Sequence, residues 1–134
     1  MRAAHELRAV VGRLRRRLRD VSTPAGLTPS QTSVLGALAK NDATAAALAA
    51  AERIRPQSMA ATLAALEQQG LVERRPDPDD GRRQVVSLST AGRARIDGDR
   101  AARQEWLARE FAEKFTEAER RTLLDALSLL ERLL

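Results

Sequence analysis

Apolar residues recur along this chain at intervals of three and four, the spacing that one face of an α-helix produces. The first such stretch covers residues 3 to 21, where polar residues, many of them arginine, occupy the other faces. Its apolar positions are Leu7, Val10, Val11, Leu14, Leu18 and Val21. The segment STPAG at residues 22 to 26 interrupts the pattern, which therefore predicts one long first helix.

Capping signals predict where the next two helices begin. Thr28 can cap a second helix, because Pro29 suits the first helical position and Gln31 stands three residues after the cap. The run KND at residues 40 to 42 ends this helix, whose buried stripe is Val34, Leu35 and Leu38. Thr44 is expected to cap a short third helix with three inward residues, Leu48, Ala51 and Ile54.

The second half of the chain predicts a helix, a hairpin and two more helices. Pro56 opens a fourth helix that runs to Gln69, where Gly70 is a good C-terminal stop. LVERR and QVVSL alternate as strands do and flank a turn-forming loop. Thr90 is expected to cap a long helix over about residues 91 to 114. A capping box at residues 116 to 119 starts a final helix with one apolar face, Leu123, Leu127, Leu130 and Leu134.

This order of elements predicts a mainly α fold with a small antiparallel β-hairpin, in a single protomer of residues 1–134. Residues 27–89 follow the winged helix-turn-helix plan. The second helix of that motif, which is the fourth helix of this chain, is the one placed in the DNA major groove. Residues 1–22 and 90–134 form a helical region with long apolar faces, for which a subunit interface is the simplest fate. A purely intramolecular bundle is the alternative. The residues assigned to the interface are Leu7, Val10, Leu14, Phe111, Phe115, Leu127 and Leu130.

Composition narrows the function classes. The net charge is +5 and the sequence pI is about 11.1, which fits a nucleic-acid partner, although genome composition can also enrich arginine. The absence of cysteine excludes thiol redox sensing and thiolate metal sites. With one histidine, no tyrosine and no glycine-rich phosphate loop, an enzyme is not expected. No signal peptide or long apolar run is evident, so we expect a cytoplasmic protein without metal or cofactor.

The predicted fourth helix has one face of small residues. At about 100° per residue, Met59, Leu63 and Leu66 point into the core, while Gln57, Ala61 and Ala64 point away. Ser58 and Ala60 flank this outer face. Gln can pair with adenine, Ser can reach a base or a phosphate, and Ala can meet a thymine methyl group. Arg53 and Arg55 precede the helix and are placed to contact phosphates. The alternative is that alanine here reflects helix propensity alone.

The segment VERRPDPDDGRRQVVSLS, residues 72 to 89, is the second candidate element. Its arginines suit DNA, with Arg74 and Arg75 at phosphates. The competing interpretation is a solvated turn held by internal Asp–Arg pairs. The helix before it favours the DNA interpretation.

Residues 27 to 93 resemble the MarR family of bacterial transcription regulators, and the flanking helices extend the resemblance to nearly the whole chain. It is carried by LTPSQTSVLGALA and by RPQSMAATLAALEQQGLVERRPDPDDGRRQVVSLSTAGR. The resemblance implies a homodimer on a pseudo-palindromic operator in double-stranded DNA. It also implies a repressor, often released when a small aromatic or lipophilic effector binds between the dimer region and the winged region.

Matching the family's wing, Arg82 would enter the minor groove with Asp80 helping to hold it and Arg83 beside it. The residues placed in the major groove are Gln57, Ser58, Ala61 and Thr62. Two departures concern residues. Gly81 stands where many relatives have an arginine, and Ala60 and Ala61 replace a polar residue and an arginine that would read guanine. A third is the lack of cysteine, which excludes the family's thiol-switched sensors.

Several alternatives stay open at this point. A winged helix can also serve as a protein-interaction module, although the arginine-rich wing counts against that. The run RLRRRLRD at residues 13 to 20 fits the solvated side of a dimer helix better than a membrane or nucleic-acid arm. The candidate contacts for an effector are His5, Trp106, Phe111 and Phe115, although packing within an interface is the preferred explanation for these residues.

Overall fold

The computed structural model describes residues 1 to 22 and 26 to 134. The predicted break after the first helix falls partly on residues 23 to 25, which lie outside the described residues. The elements in chain order are α1 (Arg2–Ser22), α2 (Pro29–Lys40), β1 (Ala43–Thr44), α3 (Ala45–Glu52), α4 (Pro56–Gln68), β2 (Val72–Pro76), β3 (Gln84–Leu88), α5 (Thr90–Lys114), α6 (Glu117–Leu130) and a final 3₁₀ turn (Glu131–Leu133). They confirm the mainly α fold and each predicted helix.

The chain divides into two compact units. One consists of Met1–Ser22 and Ala101–Leu134, and the other of the chain between them, up to Arg100. The second unit holds the apolar core, in which α2, α3, α4 and the sheet meet. Its completely or nearly completely buried side chains are Val34, Leu35, Leu38, Met59, Leu63, Leu66 and Val86. The predicted inward stripes of α2 and α4 are therefore confirmed.

Threonine side chains cap three of the helices. Thr28 and Thr116 each accept a bond from the backbone N–H three residues on, and Gln31 and Glu119 complete the two predicted capping boxes. Thr44 caps α3 through the amide of Ala47, at 3.2 Å. Hydrogen bonding to Thr116 holds the pKa of the Glu119 carboxyl below its ordinary value, because its oxygen accepts from the Thr116 amide and hydroxyl. These local bonds satisfy amides that a helix start leaves unpaired.

The end of α3 is a Schellman motif that turns the chain toward α4. The amide of Ile54 donates to the carbonyl of Ala49, and the amide of Arg53 donates to that of Ala50. Arg53 has φ 54° and ψ 44°, the left-handed conformation that glycine usually adopts at this position. The motif brings Ile54 back onto the core, whereas Ala51, predicted to face inward, is exposed. The prediction for Ala51 was wrong because Ala49, next to Leu48, is the alanine of α3 that faces the core.

The sheet has three antiparallel strands in the order β1-β3-β2, one more than the predicted hairpin. Val72 to Pro76 of β2 pair with Leu88 to Gln84 of β3, as expected. The additional strand is short, pairing Ala43 with Val86 and Thr44 with Val85. It ties the start of α3 to strand β3 of the hairpin.

The junction between the hairpin and α5 is tightly built around Ser89 and Gly92. Ser89 is the cap of α5, not the predicted Thr90, which is the first helical residue. The Ser89 hydroxyl accepts from the amide of Gly92 at 3.0 Å and donates to the carbonyl of Gly70. The amide of Ser89 donates to the carbonyl of Leu71. The end of α4 and the start of α5 are thereby joined through hydrogen bonds.

In the first unit, α1 contacts the second half of α5. The guanidinium of Arg17 lies 5.5 Å from the centre of the Trp106 ring, within cation–π range. Arg103 donates to the Ser22 hydroxyl at 2.8 Å, and the rings of Phe111 and Phe115 meet edge to face. Among the residues that the structure describes, no helix is both long and apolar enough to cross a membrane.

Much apolar surface of this unit is uncovered within the chain. None of the residues of α6 is buried. The exposed large apolar residues of the unit are Met1, Val10, Val11, Leu14, Phe115, Leu124, Leu127, Leu129, Leu133 and Leu134. Leu7, Phe111 and Leu130, the other residues assigned to an interface, are half-buried.

Candidate nucleic-acid interface

Helix α4 presents its small side chains to solvent. Gln57, Ser58, Ala60, Ala61 and Ala64 are all exposed, on the side opposite the buried stripe. The first four lie in the first half of the helix. The exposed face therefore allows close approach by a flat or grooved partner, with hydrogen-bonding groups at its leading end.

Thr62 is placed differently from the other predicted contact residues. It is half-buried, and its hydroxyl donates to the carbonyl of Ser58 at 3.0 Å. Its donor is therefore occupied within the helix, which leaves its methyl group and an acceptor lone pair for any partner.

The start of α4 is electropositive. Arg55 occupies the N-cap position but makes no side-chain capping bond, and Pro56 supplies no amide hydrogen. The amides of Gln57 and Ser58 have no acceptor within the helix, as at any helix start. Arg53 and Arg55 are exposed, and within the described chain neither guanidinium has a hydrogen bond or an ion pair. Free amides and unpaired guanidinium groups at one helix end suit an anion.

The loop between β2 and β3, residues 77 to 83, is held by its own aspartates. Asp77 donates its amide to the carbonyl of Arg83 and accepts from the amide of Asp79, both at 2.9 Å. Asp80 accepts from the amide of Arg82 at 3.1 Å, and its carbonyl accepts from the amide of Arg83. The loop, called the wing below, is therefore closed by hydrogen bonds within itself.

The two wing arginines differ in their surroundings. The guanidinium of Arg83 lies 3.6 Å from the carboxylates of both Asp77 and Asp80. The side chain of Arg82 is exposed and has no hydrogen-bond or ion-pair partner among residues 1–22 and 26–134. One carboxylate oxygen of Asp80 thus accepts from the backbone of Arg82 and the other faces the guanidinium of Arg83, so Arg82 is the wing's available cation.

Two further arginines, in β2, already have internal partners. Nε of Arg74 lies 2.9 Å from Oε2 of Glu67 at the end of α4. Nη2 of Arg75 lies 2.9 Å from Oδ2 of Asp42, which precedes β1. Both arginines are predicted from the sequence to contact phosphates, and neither partner is evident in the sequence. Spacings of 7 and 33 residues across a turn and a sheet carry no local signal for such pairs.

The described residues contain no cluster of side chains suited to holding a metal ion. What the structure brings together is the outer face of α4, the arginines before it, and the wing, all within the unit that ends at Arg100.

Comparisons with known proteins agree with this architecture. A model described as the MarR family matches residues 25–83. An HTH-type transcriptional regulator of Mycobacterium tuberculosis is 44% identical over 112 residues, which cover 83% of this chain and 78% of that protein.

Solved structures share the fold over nearly the whole chain. A Pseudomonas aeruginosa protein described as a candidate transcriptional regulator has a TM-score of 0.86 and 42% identity, covering 98% of this chain and 94% of that one. A mutant of S. aureus MepR bound to an oligodeoxyribonucleotide has a TM-score of 0.75 at 20% identity, with 98% of each chain covered, and shows the fold alone. The resemblance carried by the sequence motifs is confirmed: this chain belongs to the MarR family and has the fold of its helix-turn-helix transcriptional regulators.

Proposed function

We propose that this chain is a homodimeric, sequence-specific DNA-binding regulator that represses transcription and is released by a small aromatic or lipophilic effector. The observation that carries the DNA-binding part is the pairing of two exposed elements. Helix α4 presents a face of small and hydrogen-bonding residues, and the adjacent hairpin ends in a wing with an unpaired arginine.

Helix α4 is proposed to lie in the major groove. That groove is about 12 Å wide and admits one α-helix, and small side chains let the helix backbone approach the bases. Gln57, Ser58 and Ala61 would face base edges, and Thr62 would contribute its methyl group. Arg53 and Arg55 would meet phosphates beside the amides of the helix start. Discrimination would rest on Gln57 and Ser58 together with groove shape, since no arginine reads guanine from this face.

The wing is proposed to reach the minor groove through Arg82. A narrow A·T-rich minor groove has enhanced negative potential, which favours an inserted guanidinium. Arg82 is exposed and unpaired in the described structure, whereas Arg83 lies between two carboxylates. Arg83 would therefore stabilise the wing and lie near phosphates, and Asp80 would hold both Arg82 and Arg83 in place.

A second copy of the chain is proposed to cover the apolar residues of the first unit. Exposed leucines continue from α6, with Leu124, Leu127 and Leu129, to the last two residues of the sequence, Leu133 and Leu134. A monomer that exposed so much apolar surface would be unusual. Residues 1–22 and 90–134 would supply the dimerisation region, and residues 27–89 of each copy would read one half-site. The half-sites would be about 10 bp apart, centre to centre.

A footprint tests the whole proposal. The purified protein is mixed at low salt with DNA from upstream of its own gene, and the digestion is repeated with small phenolic ligands. We expect a two-fold symmetric protected region that one class of ligand abolishes. If no region is protected under any of the low-salt conditions, DNA binding is contradicted and the interaction-module alternative is favoured. If the ligands do not change the protection, only the effector part is contradicted.

Two substitutions separate the roles within the interface. Replacing Arg82 by Ala should weaken binding and reduce the slope of log affinity against log salt by about 0.9, as expected for one lost phosphate-like contact. Replacing Gln57 by Ala should change preference at one base position and leave the slope unchanged. Equal affinity and slope for the Arg82 variant would remove the wing from the mechanism.

A further inference from the structure

The last turn of α4 is joined to the wing hairpin by a side-chain contact. Nε of Arg74 donates to Oε2 of Glu67 at 2.9 Å, with the Arg74 side chain 26% exposed and that of Glu67 48% exposed. Arg74 lies in the middle of β2, opposite Val86 of β3. Val86 is completely buried, so this part of the hairpin is packed on the core. The pair therefore connects the exposed helix to the anchored part of the hairpin.

Besides its buried core residues, β2 is joined to neighbouring elements by the backbone and by two ion pairs. The backbone connection passes through Gly70, with φ 73°, and Leu71. On the other side of the hairpin, Arg75 pairs with Asp42 at 2.9 Å. Since neighbouring strand residues point to opposite faces of a sheet, the two arginines hold β2 from its two faces. The wing loop lies just beyond β2, so a small rotation of the strand would move Arg82.

We propose that Arg74 is a positioning residue: through Glu67 it sets the place of the wing relative to helix α4, and it does not contact phosphate itself. This rests on the proposed DNA-binding function and replaces the phosphate role that the sequence suggested for Arg74. A guanidinium bonded to a carboxylate carries little net charge toward DNA. Its contribution to binding is therefore geometric, by keeping Arg82 in register with α4.

Removing Glu67 distinguishes the two roles by the sign of the effect. If Arg74 contacted phosphate, Glu67→Ala would free a cation and remove an anion near DNA, and affinity would rise. For a positioning pair, affinity falls about two- to fivefold, the scale of one exposed ion pair. Glu73→Ala is the matched control, because Glu73 is exposed in the same strand and has no partner within the described chain. It removes the same charge and should tighten binding slightly.

Arg74 variants complete a double-mutant cycle. Arg74→Ala should weaken binding as much as Glu67→Ala does, with an unchanged salt slope, and the double variant should be no weaker than either. The exchange Glu67→Arg with Arg74→Glu should return affinity to within about twofold of the original, because it restores a pair without changing net charge. A salt slope reduced by about 0.9 in Arg74→Ala, or an exchange that fails to restore affinity, overturns the proposal.

A measurement without DNA separates failure of this proposal from failure of DNA binding. Deuterium uptake by the amides of residues 72 to 88 is compared in the original protein and in the Glu67→Ala and Glu73→Ala variants. We expect faster exchange in the hairpin for Glu67→Ala only, with the core amides of α4 unchanged. Equal uptake in all three overturns the positioning role even if DNA binds. Faster uptake in a protein that protects no DNA supports the pair and rejects the function on which its importance depends.

Discussion

Of the glycines in this chain, Gly92 has the least space for an added Cβ atom. A Cβ there would lie 2.0 Å from the carbonyl oxygen of Leu71 and 3.3 Å from Cδ2 of Leu88. The Leu71 carbonyl already accepts the amide of Ser89, at 3.0 Å, so it cannot retreat without losing that bond. Gly92→Ala must therefore separate the start of α5 from the segment that follows α4.

The expected loss follows from three contributions. Overpacking with a backbone shift costs about 1–3 kcal/mol. Weakening the Leu71 to Ser89 hydrogen bond adds about 1 kcal/mol. Alanine's better helix propensity returns up to about 1 kcal/mol. The net destabilisation is about 2 kcal/mol, which for a chain of this length lowers Tm by roughly 6 to 10 °C.

Gly98→Ala in the same helix is the control. Nothing lies within 4 Å of the Cβ that would be added at Gly98, and this residue is in the helix interior. Alanine should therefore stabilise the protein there, by about 0.5–1 kcal/mol. Both variants are unfolded thermally and in urea at one protein concentration, because association would shift both midpoints. A Gly92→Ala protein as stable as the original would refute the close approach on which this reasoning depends.

Three further changes test the caps and the cationic surface. Arg53→Gly should raise the free energy of unfolding by about 0.5–1 kcal/mol, since glycine suits φ 54°, and should weaken DNA binding and reduce the salt slope of binding by about 0.9. Denaturation measures the first effect and salt titration the second, and unchanged DNA affinity would contradict a phosphate contact by Arg53. Gly81→Arg should steepen that slope by about 0.9 without loss of stability, because Gly81 lies outside the left-handed region and its Cβ would meet nothing within 4 Å. The pKa of Glu119 is lowered in the folded state, so the stabilisation of α6 by this carboxylate is present above the ordinary glutamate pKa and is lost as pH falls through the lowered value. Glu119→Gln should flatten this acid dependence, measured by amide exchange in the first turn of α6, and an unchanged profile would contradict the role of the carboxylate.

Local signals predicted most of the helix boundaries, because the determinants lie within a few residues of one another. The boxes at Thr28 and Thr116 and the prolines at the first positions of α2 and α4 are examples. The short strand β1 was missed because two residues show no alternation, and Thr44 had a sufficient explanation as a cap. Ser89 and Thr90 are both able to cap, and only the approach of Gly70 and Leu71 distinguishes them.

For the candidate interface, helical spacing was enough to predict which face of α4 is exposed. It was not enough to predict the state of the arginines, which depends on what the fold brings near them. Arg82 and Arg83 are adjacent in sequence, yet only Arg83 lies between carboxylates. Arg74 has a partner in α4, and Arg75 has one in the loop before β1.

The hydrogen bonds within the wing have an entropic consequence for any binding to DNA. Asp77 and Asp80 order the loop's backbone during folding, so this ordering does not have to accompany an encounter with DNA. A segment that orders on binding loses part of its contact energy to the entropy of ordering. Most of the contact free energy of the wing should therefore appear as affinity for DNA. The main conformational entropy still to be lost on binding is that of the Arg82 side chain.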